Sequence, residues 1–276
     1  MKKFFKFWAV TLSLLLLAAV MTACGGETAN VDYSKSVDGA IVVAESGSAG
    51  EELATTNEFF KNAKFTAVDA MATALMDVKS GTSDIAIVDY VTSIGSIGAG
   101  TDFEDLAVVE GQEFSPEEYG IAFRKGSDAV GAVNAAIAEL IEDGTMDSIG
   151  KKYKLDQLLI KDGKPFEETA VEGDLAYIKE KGELIIGITL FAPMNYEDEN
   201  KELTGFETEF AKAVCEKLGV APRFVEINWS AKEVELKAKN IDCIWNGMTI
   251  TDERAANMSI SVPYMQNKQV MVAKTR

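Results

Sequence analysis

Short apolar runs alternate with segments of helical spacing along most of this chain. Ala40 to Ala44 (AIVVA) reads as a buried strand, and Ser46 to Glu52 (SGSAGEE) opens a helix through about Phe60. Phe65 to Val68 is a short strand, Asp69 to Lys79 a helix, and Ser83 to Val88 (SDIAIV) a buried strand ending in Asp89. Tyr119 to Phe123 (YGIAF) reads as a strand. Ser127 to Glu142 carries Val130, Val133, Ile137, Leu140 and Ile141 at helical spacing, with Gly144 as a stop. Lys154 to Asp174, charged, weakly periodic and containing Gly163 and Pro165, reads as a linker. Beyond it the pattern predicts a strand at Leu184 to Thr189 and an amphipathic helix from Gly205 to Leu218, ended by Gly219. A strand at Arg223 to Ile227, a helix at Ala231 to Lys239 and strands at Asp242 to Asn246 and Val270 to Lys274 complete it. Such alternation predicts an α/β fold with mostly parallel sheets.

Two stretches echo one another. Lys79 to Asp89 (KSGTSDIAIVD) and Lys237 to Gly247 (KAKNIDCIWNG) each run from a helix end through a small or polar turn and an aspartate into a buried strand. Both strands end on a polar residue. The generic α/β pattern gives the same order by composition alone; if the two are equivalent, two similar lobes aim strand ends at a shared crevice, where open α/β sheets place ligands.

The amino terminus breaks the pattern. Lys2, Lys3 and Lys6 precede an apolar run from Phe7 to Ala23, a charged region followed by a hydrophobic one as in a secretory signal. The run is shorter than the ~20 residues a membrane span needs. Its end, Met21-Thr22-Ala23-Cys24-Gly25, resembles a bacterial lipoprotein cleavage box, in which Cys24 becomes the lipidated terminus; an ordinary secretory signal with a chance cysteine is the alternative. Gly25 to Asp38 would then be a polar tether.

With 27 Lys plus Arg against 44 Asp plus Glu the formal charge is −17, which argues against a nucleic-acid partner. The absence of histidine removes Ser-His and Cys-His catalysis and His-ligated metal sites. Beyond Cys24 only Cys215 and Cys243 remain, expected as buried thiols rather than a disulfide or a nucleophile.

KGELIIGIT (181 to 189), ELTGFETEFAKAVCEKLGV (202 to 220), IDCIWNGMTITDER (241 to 254) and VPYMQNKQVMV (262 to 272) closely resemble the beginning of the amino-acid-binding proteins of bacterial ABC importers, extracellular solute-binding proteins of family 3. IVVAESGSAGEE (41 to 52), SDIAIVDY (83 to 90), EEYGIAFRKG (117 to 126) and AIAELIEDGTMDSIGKKY (136 to 153) resemble the later part of the same family. The order is reversed, so the chain looks like a circular permutant; an assembly error in the gene could mimic this. The resemblance implies an α/β, two-lobe type II periplasmic-binding-protein fold, circularly permuted. The expected layout is a signal peptide (1–23), a lipidated tether (24–38), lobe two (39–118), the closing part of lobe one (119–154), a permutation linker (155–181) and the main part of lobe one (182–276). One covalent crossover near Glu118 to Ala122 is expected, and with it wider lobe opening than in a normally ordered relative.

An amino acid presents a carboxylate and an ammonium, so its pocket needs a fork of donors and an acceptor shielded from water. The resemblance places Arg254 on the carboxylate-binding arginine, Thr249 on the hydroxyl sharing that carboxylate, and Asp89 on the ammonium-binding aspartate. Ser48 and Ala49 fall on the turn that contacts the carboxylate, at a helix start whose N–H groups favour an anion; a plain N-cap at Ser48 is the other reading. Phe191 falls on the aromatic wall, with Tyr196, Trp245, Asn246 and Gly247 as neighbours, although packing alone would also explain Tyr196 and Trp245. Ile188, Thr189 and Leu190 stand where many members carry an acid, which weakens any claim for a basic amino acid.

The implied function is an extracytoplasmic, membrane-anchored receptor that closes two lobes on one amino acid and delivers it to a permease with a cytoplasmic ATPase, as a monomer and without a cofactor. A dehydratase of prephenate or arogenate type on the same fold is one rival; it would need Glu45 or Asp89 as general acid, and the sequence shows no paired carboxylates in apolar surroundings. A ligand-sensing module and a permutant that no longer binds are the others.

Overall fold

A computed structural model describes residues 32–166, 170, 171 and 173–275. The expected signal peptide, Cys24 and most of the tether lie outside the described residues. Among the described residues, no helix is long and apolar enough to cross a membrane.

The chain first builds β1 (Ile41–Glu45), α1 (Ala49–Thr56), β2 (Lys64–Val68), α2 (Met71–Ser80), β3 (Ile85–Asp89), α3 (Tyr90–Ser96) and β4 (Leu106–Val108). These strands run as near-continuous apolar stretches because helices cover the sheet: β1 from Val42 to Ala44 and all of β3 are buried. β5 (Pro116–Tyr119) leads out of this lobe and β6 (Ala122–Arg124) enters the other. The expected single strand at 119 to 123 is therefore broken. Gly120 sits at the break, where a Cβ would lie 2.5 Å from Ile260 Cγ2 and 2.9 Å from Ile250 Cδ1, so only glycine allows the crossing chain to pass this close.

The second lobe continues with α4 (Ala129–Glu142), α5 (Thr145–Lys152), α6 (Asp174–Lys181), β7 (Glu183–Ile188), β8 (Tyr196–Glu197), β9 (Leu203–Thr204) and α7 (Phe206–Leu218). β10 (Ala221–Glu226), α8 (Lys232–Lys237), β11 (Cys243–Ile244), α9 (Asp252–Asn257), β12 (Met258–Ile260) and β13 (Met265–Lys274) close the chain. Gly144 and Gly219 follow α4 and α7 in left-handed conformation, at φ 79° and 72°, as the stop signals predicted. Cys215 and Cys243 are free buried thiols, Cys215 pushed up to about 12 by burial.

Within the stretch read as a linker, α6 was not anticipated. Its eight residues are too few to display a period, and tertiary contacts hold it. Arg124 Nη2 pairs with Asp174 Oδ1 at 2.7 Å, Ser127 Oγ donates to Asp174 Oδ2 at 2.7 Å, and Ile178 is buried.

Both sheets have the same plan. One runs β2-β1-β3-β13-β4 and the other β10-β7-β11-β6-β12, each with three parallel strands followed by two that alternate in direction. β3 and β11, which carry the echoed sequences, occupy the same third place. In each sheet the fourth strand arrives from the other lobe: β6 after β5, and β13 after pairing with β5 at Met265 to Lys268. This corrects the expected single crossover. Two antiparallel strands join the lobes, and the last strand is far longer than Val270 to Lys274 because its first half is the second connection. Burial alternates there, with Met265, Asn267 and Gln269 inward, so a mixed polar and apolar stretch carries a strand period without an apolar run.

Candidate ligand site at the lobe seam

β1 ends at Glu45, and the chain turns through Ser46 and Gly47 into α1. Ser48 caps the helix by accepting from Glu51 N at 3.2 Å, and Glu51 returns its carboxylate to Gly47 N at 2.5 Å. These reciprocal bonds satisfy two donors that a helix start leaves open. The Ser48 hydroxyl is thus engaged as a cap, and Ala49 follows as the first helical residue. Gly47 has φ 74°, and a Cβ there would meet Ser230 Cα at 2.9 Å; glycine lets this turn touch the other lobe.

Across the seam, Thr251 caps α9, accepting from Arg254 N at 3.2 Å. Arg254 is 8% exposed; its Nη1 donates to the Thr249 carbonyl at 2.7 Å and its Nη2 to the Gly47 carbonyl of the opposite lobe at 3.3 Å. It forms no ion pair among the described residues. A buried guanidinium supplied only with carbonyl acceptors keeps donors for an anion. Burial works against its charge, while Glu52, Glu117 and Asp89 favour it.

Asp89 ends β3 at 3% exposure. Its Oδ1 accepts from Asn267 Nδ2 at 2.5 Å and Gln269 Nε2 at 2.7 Å, and the same two amides donate to Glu117 Oε2 at 2.9 and 3.0 Å. Thr249 Oγ1 also donates to Glu117 Oε2, at 3.0 Å. Burial, then the Glu117 charge, raise Asp89 to about 7 against the pull of these donors. Paired carboxylates are not visible in the sequence; the fold brings Asp89 of β3 beside Glu117 of the interlobe strand β5, bridged by the amides of Asn267 and Gln269. Two amide donors on one Asp89 oxygen favour its ionised form and offset part of that rise. Glu117, Asn267 and Gln269 were missed. Inward polar residues at alternate positions of a strand were the available signal.

The remaining candidates lie deeper or to one side. Asn246 is bonded to Thr189, accepting from Oγ1 at 2.7 Å and donating to the carbonyl at 2.8 Å, which ties the carboxyl ends of β7 and β11. Gly247 N donates to Glu207 Oε1 at 2.8 Å, and Glu207, 1% exposed, also receives Asn195 Nδ2 at 2.8 Å and the Tyr264 hydroxyl. Burial raises Glu207 to about 7. The Phe191 ring packs over Gly247, where a Cβ would lie 2.8 Å from Cζ. Phe191 and Tyr196 line a cavity of about 650 Å³ with Thr92, Ser96 and Phe103 of the other lobe. Ala49, Thr249 and Glu117 line a separate one of about 380 Å³. Thr249, Arg254, Ser48, Ala49 and Asp89 therefore gather on one stretch of the seam, while Phe191 and Tyr196 face the larger cavity. Trp245 is fully buried and meets Phe210 edge to face at 5.4 Å, a packing role. Among the described residues no cluster of His, Cys, Asp and Glu could hold a metal ion.

Residues 184–276 match the family of bacterial extracellular solute-binding proteins, family 3. The chain is 34% identical over 114 residues to the L-cystine-binding protein TcyJ of Escherichia coli (strain K12), covering 41% of this chain and 43% of that protein. It is 32% identical over 127 residues to a probable amino-acid ABC transporter-binding protein of Haemophilus influenzae, covering 45% and 49%. Among solved structures, the arginine-bound domain 1 from TmArgBP, as its Phe57Trp mutant, is 31% identical, with 37% of this chain and 84% of that one covered and a TM-score of 0.33. The chain spans about half the length of the curated relatives it matches. Its architecture is two α/β lobes with a seam between them.

Proposed function

We propose that this chain is an extracytoplasmic amino-acid receptor of an ABC importer, anchored by lipid at Cys24, and that its lobes close on one free amino acid. The observation that carries this reading is Arg254, a buried guanidinium without an ion pair among the described residues, which reaches from one lobe to the Gly47 turn of the other. A ligand carboxylate would take the place of the Gly47 carbonyl as its partner, and Asp89 with Glu117 would take the ammonium. Phe191, Tyr196, Gly247 and Asn246 would bound the side chain. Since the ligand touches both lobes only when they are closed, binding would shift an open and closed equilibrium toward the closed form. The permease, its ATPase and a monomeric state follow from the same reading, as does delivery at the outer face of the cell membrane.

The reversed order of the two resembling blocks supports a circular permutation, with the signal at one end and the family segment at the other. The named relatives are binding proteins, which favours the receptor over a dehydratase. The test is thermal unfolding of the full-length chain in detergent against the common L-amino acids and cystine. A ligand at ~100 times its dissociation constant adds about 2.7 kcal/mol. A shift with one or a few amino acids, lost in Arg254→Ala, supports the receptor; no shift with any of them overturns it. The anchor is tested separately, since Cys24→Ala should release the protein from the membrane fraction.

A further inference from the structure

A second polar constellation sits at the same turn. Glu45, the last residue of β1, is 2% exposed, and its carboxylate makes no hydrogen bond or ion pair among the described residues, with Oε1 sealed from solvent. Lys232, the first residue of α8 in the other lobe, is 6% exposed. Its Nζ donates to the Gly47 carbonyl at 2.9 Å and the Trp229 carbonyl at 3.3 Å, and stands 4.8 Å from the centre of the Trp229 ring. It too has no ion pair among the described residues. A buried ammonium given only neutral acceptors has its desolvation offset only in part, and a buried carboxyl group given no partner has none of its own offset. The two flank one turn. Gly47 lies two residues beyond Glu45, and its carbonyl sits between Lys232 and Arg254, so the Arg254 anchor and this pair lie within the reach of one small ligand.

The charges around the pair are accounted for. Asp89 lies on the Glu45 side and opposes its ionisation, Lys232 favours it, and burial is the larger influence, holding Glu45 up at about 8. Burial and Arg254 lower Lys232 to about 8, with Glu233, Glu45 and Glu51 acting the other way. Trp229, 4% exposed, supplies an apolar wall beside the ammonium.

We propose that Glu45 and Lys232 form the specificity-determining end of the amino-acid site, selecting a ligand whose distal group is dipolar, with an acceptor for Lys232 and an N–H donor for Glu45 side by side. A carboxamide and a second amino-acid head group both have this chemistry. Because one residue comes from each lobe, the distal group would be gripped only in the closed form, and its recognition would be coupled to closure. The inference rests on the receptor reading and adds the ligand class to it.

The test is calorimetric titration of the full-length chain in detergent with L-glutamine, L-cystine, L-glutamate, L-arginine, L-leucine and L-methionine. Glutamine or cystine is expected to bind at least about tenfold more tightly than leucine or methionine, since a site built for hydrogen bonds rejects a ligand that leaves them unmade. Lys232→Met and Glu45→Leu should each remove that preference while leaving leucine binding nearly unchanged. If either variant fails to fold, the isosteric Glu45→Gln is expected to lower affinity for the preferred ligand alone. Tightest binding of leucine or methionine would overturn the proposal; so would glutamate, which would leave the end to Lys232 alone, or arginine, which would leave it to Glu45 alone. Binding that depends on Arg254 but keeps its ranking in both variants overturns this inference and spares the receptor. No binding by any of the six overturns this inference, and the receptor reading falls with it only when no other common L-amino acid shifts the melting temperature.

Discussion

At the level of single residues, the buried carboxyls set the pH behaviour. Burial holds Glu45 at about 8, and Asp89 and Glu207 at about 7. The folded chain therefore retains protons that the unfolded chain releases above about pH 4. Stability is greatest near the lower end of the range and falls as pH rises through 7 and 8. The melting temperature is expected to drop by several degrees between pH 5 and pH 8, and Glu207→Gln should flatten part of that slope. A constant melting temperature would mean that these groups ionise normally in the folded protein. Arg254 was legible from the TITDER stretch, but its reach to Gly47 was not. A residue's partner 207 positions away is fixed by how the lobes meet, and nothing local encodes it.

At the level of elements, capping and close approach decide where each piece begins. Gly205, before α7, has φ 122°, and a Cβ there would lie 2.2 Å from the Met194 carbonyl oxygen. Gly205→Ala is expected to cost more than about 1 kcal/mol in urea denaturation, because neither the backbone angle nor the space suits a side chain. α6 is held differently. Arg124 bonds Asp174 at 2.7 Å and the Ile241 carbonyl at 2.8 Å, while Asp242 takes Lys181 Nζ and Ile185 N at 2.5 and 2.8 Å. Removing one side of a buried ion pair strands the other, so Arg124→Ala should lose about 3 kcal/mol. A loss under about 1 kcal/mol would show Asp174 to be solvated. The strands and long helices were readable because apolar runs and helical periods extend far enough to be recognised. α6 and the first half of β13 were not, since eight residues show no clear period and a crossing strand has no sheet face of its own until it pairs.

At the level of the whole molecule, the two strands β5 and β13 tie the lobes together, and Thr275 N bonds the Asp105 carbonyl at the start of β4 while Gln112 Nε2 bonds the Ser34 carbonyl beyond its end. The described ends of the chain thus lie along one edge of one lobe, where joining them disturbs no strand. A reordered chain running from 174 to 275, through a short flexible linker, and on from 32 to 166 is expected to fold and to bind the same amino acid within a few-fold. Loss of folding would count against the permutation. With two crossings instead of one, there is no remaining ground for unusually wide opening, and small-angle scattering of the open form should match that of a normally ordered relative. By itself the sequence determined the α/β class, most element positions, the exclusion of histidine chemistry and the likeness of its two halves to one receptor family, because these depend on local period, composition and motif. Only the tertiary structure decided that the lobes are doubly connected, that Asp89 and Glu117 meet, and that Glu45 and Lys232, on either side of one glycine turn, have no ion pair among the described residues. Those facts depend on which strand ends face each other across the seam, a matter of packing between segments far apart in the chain.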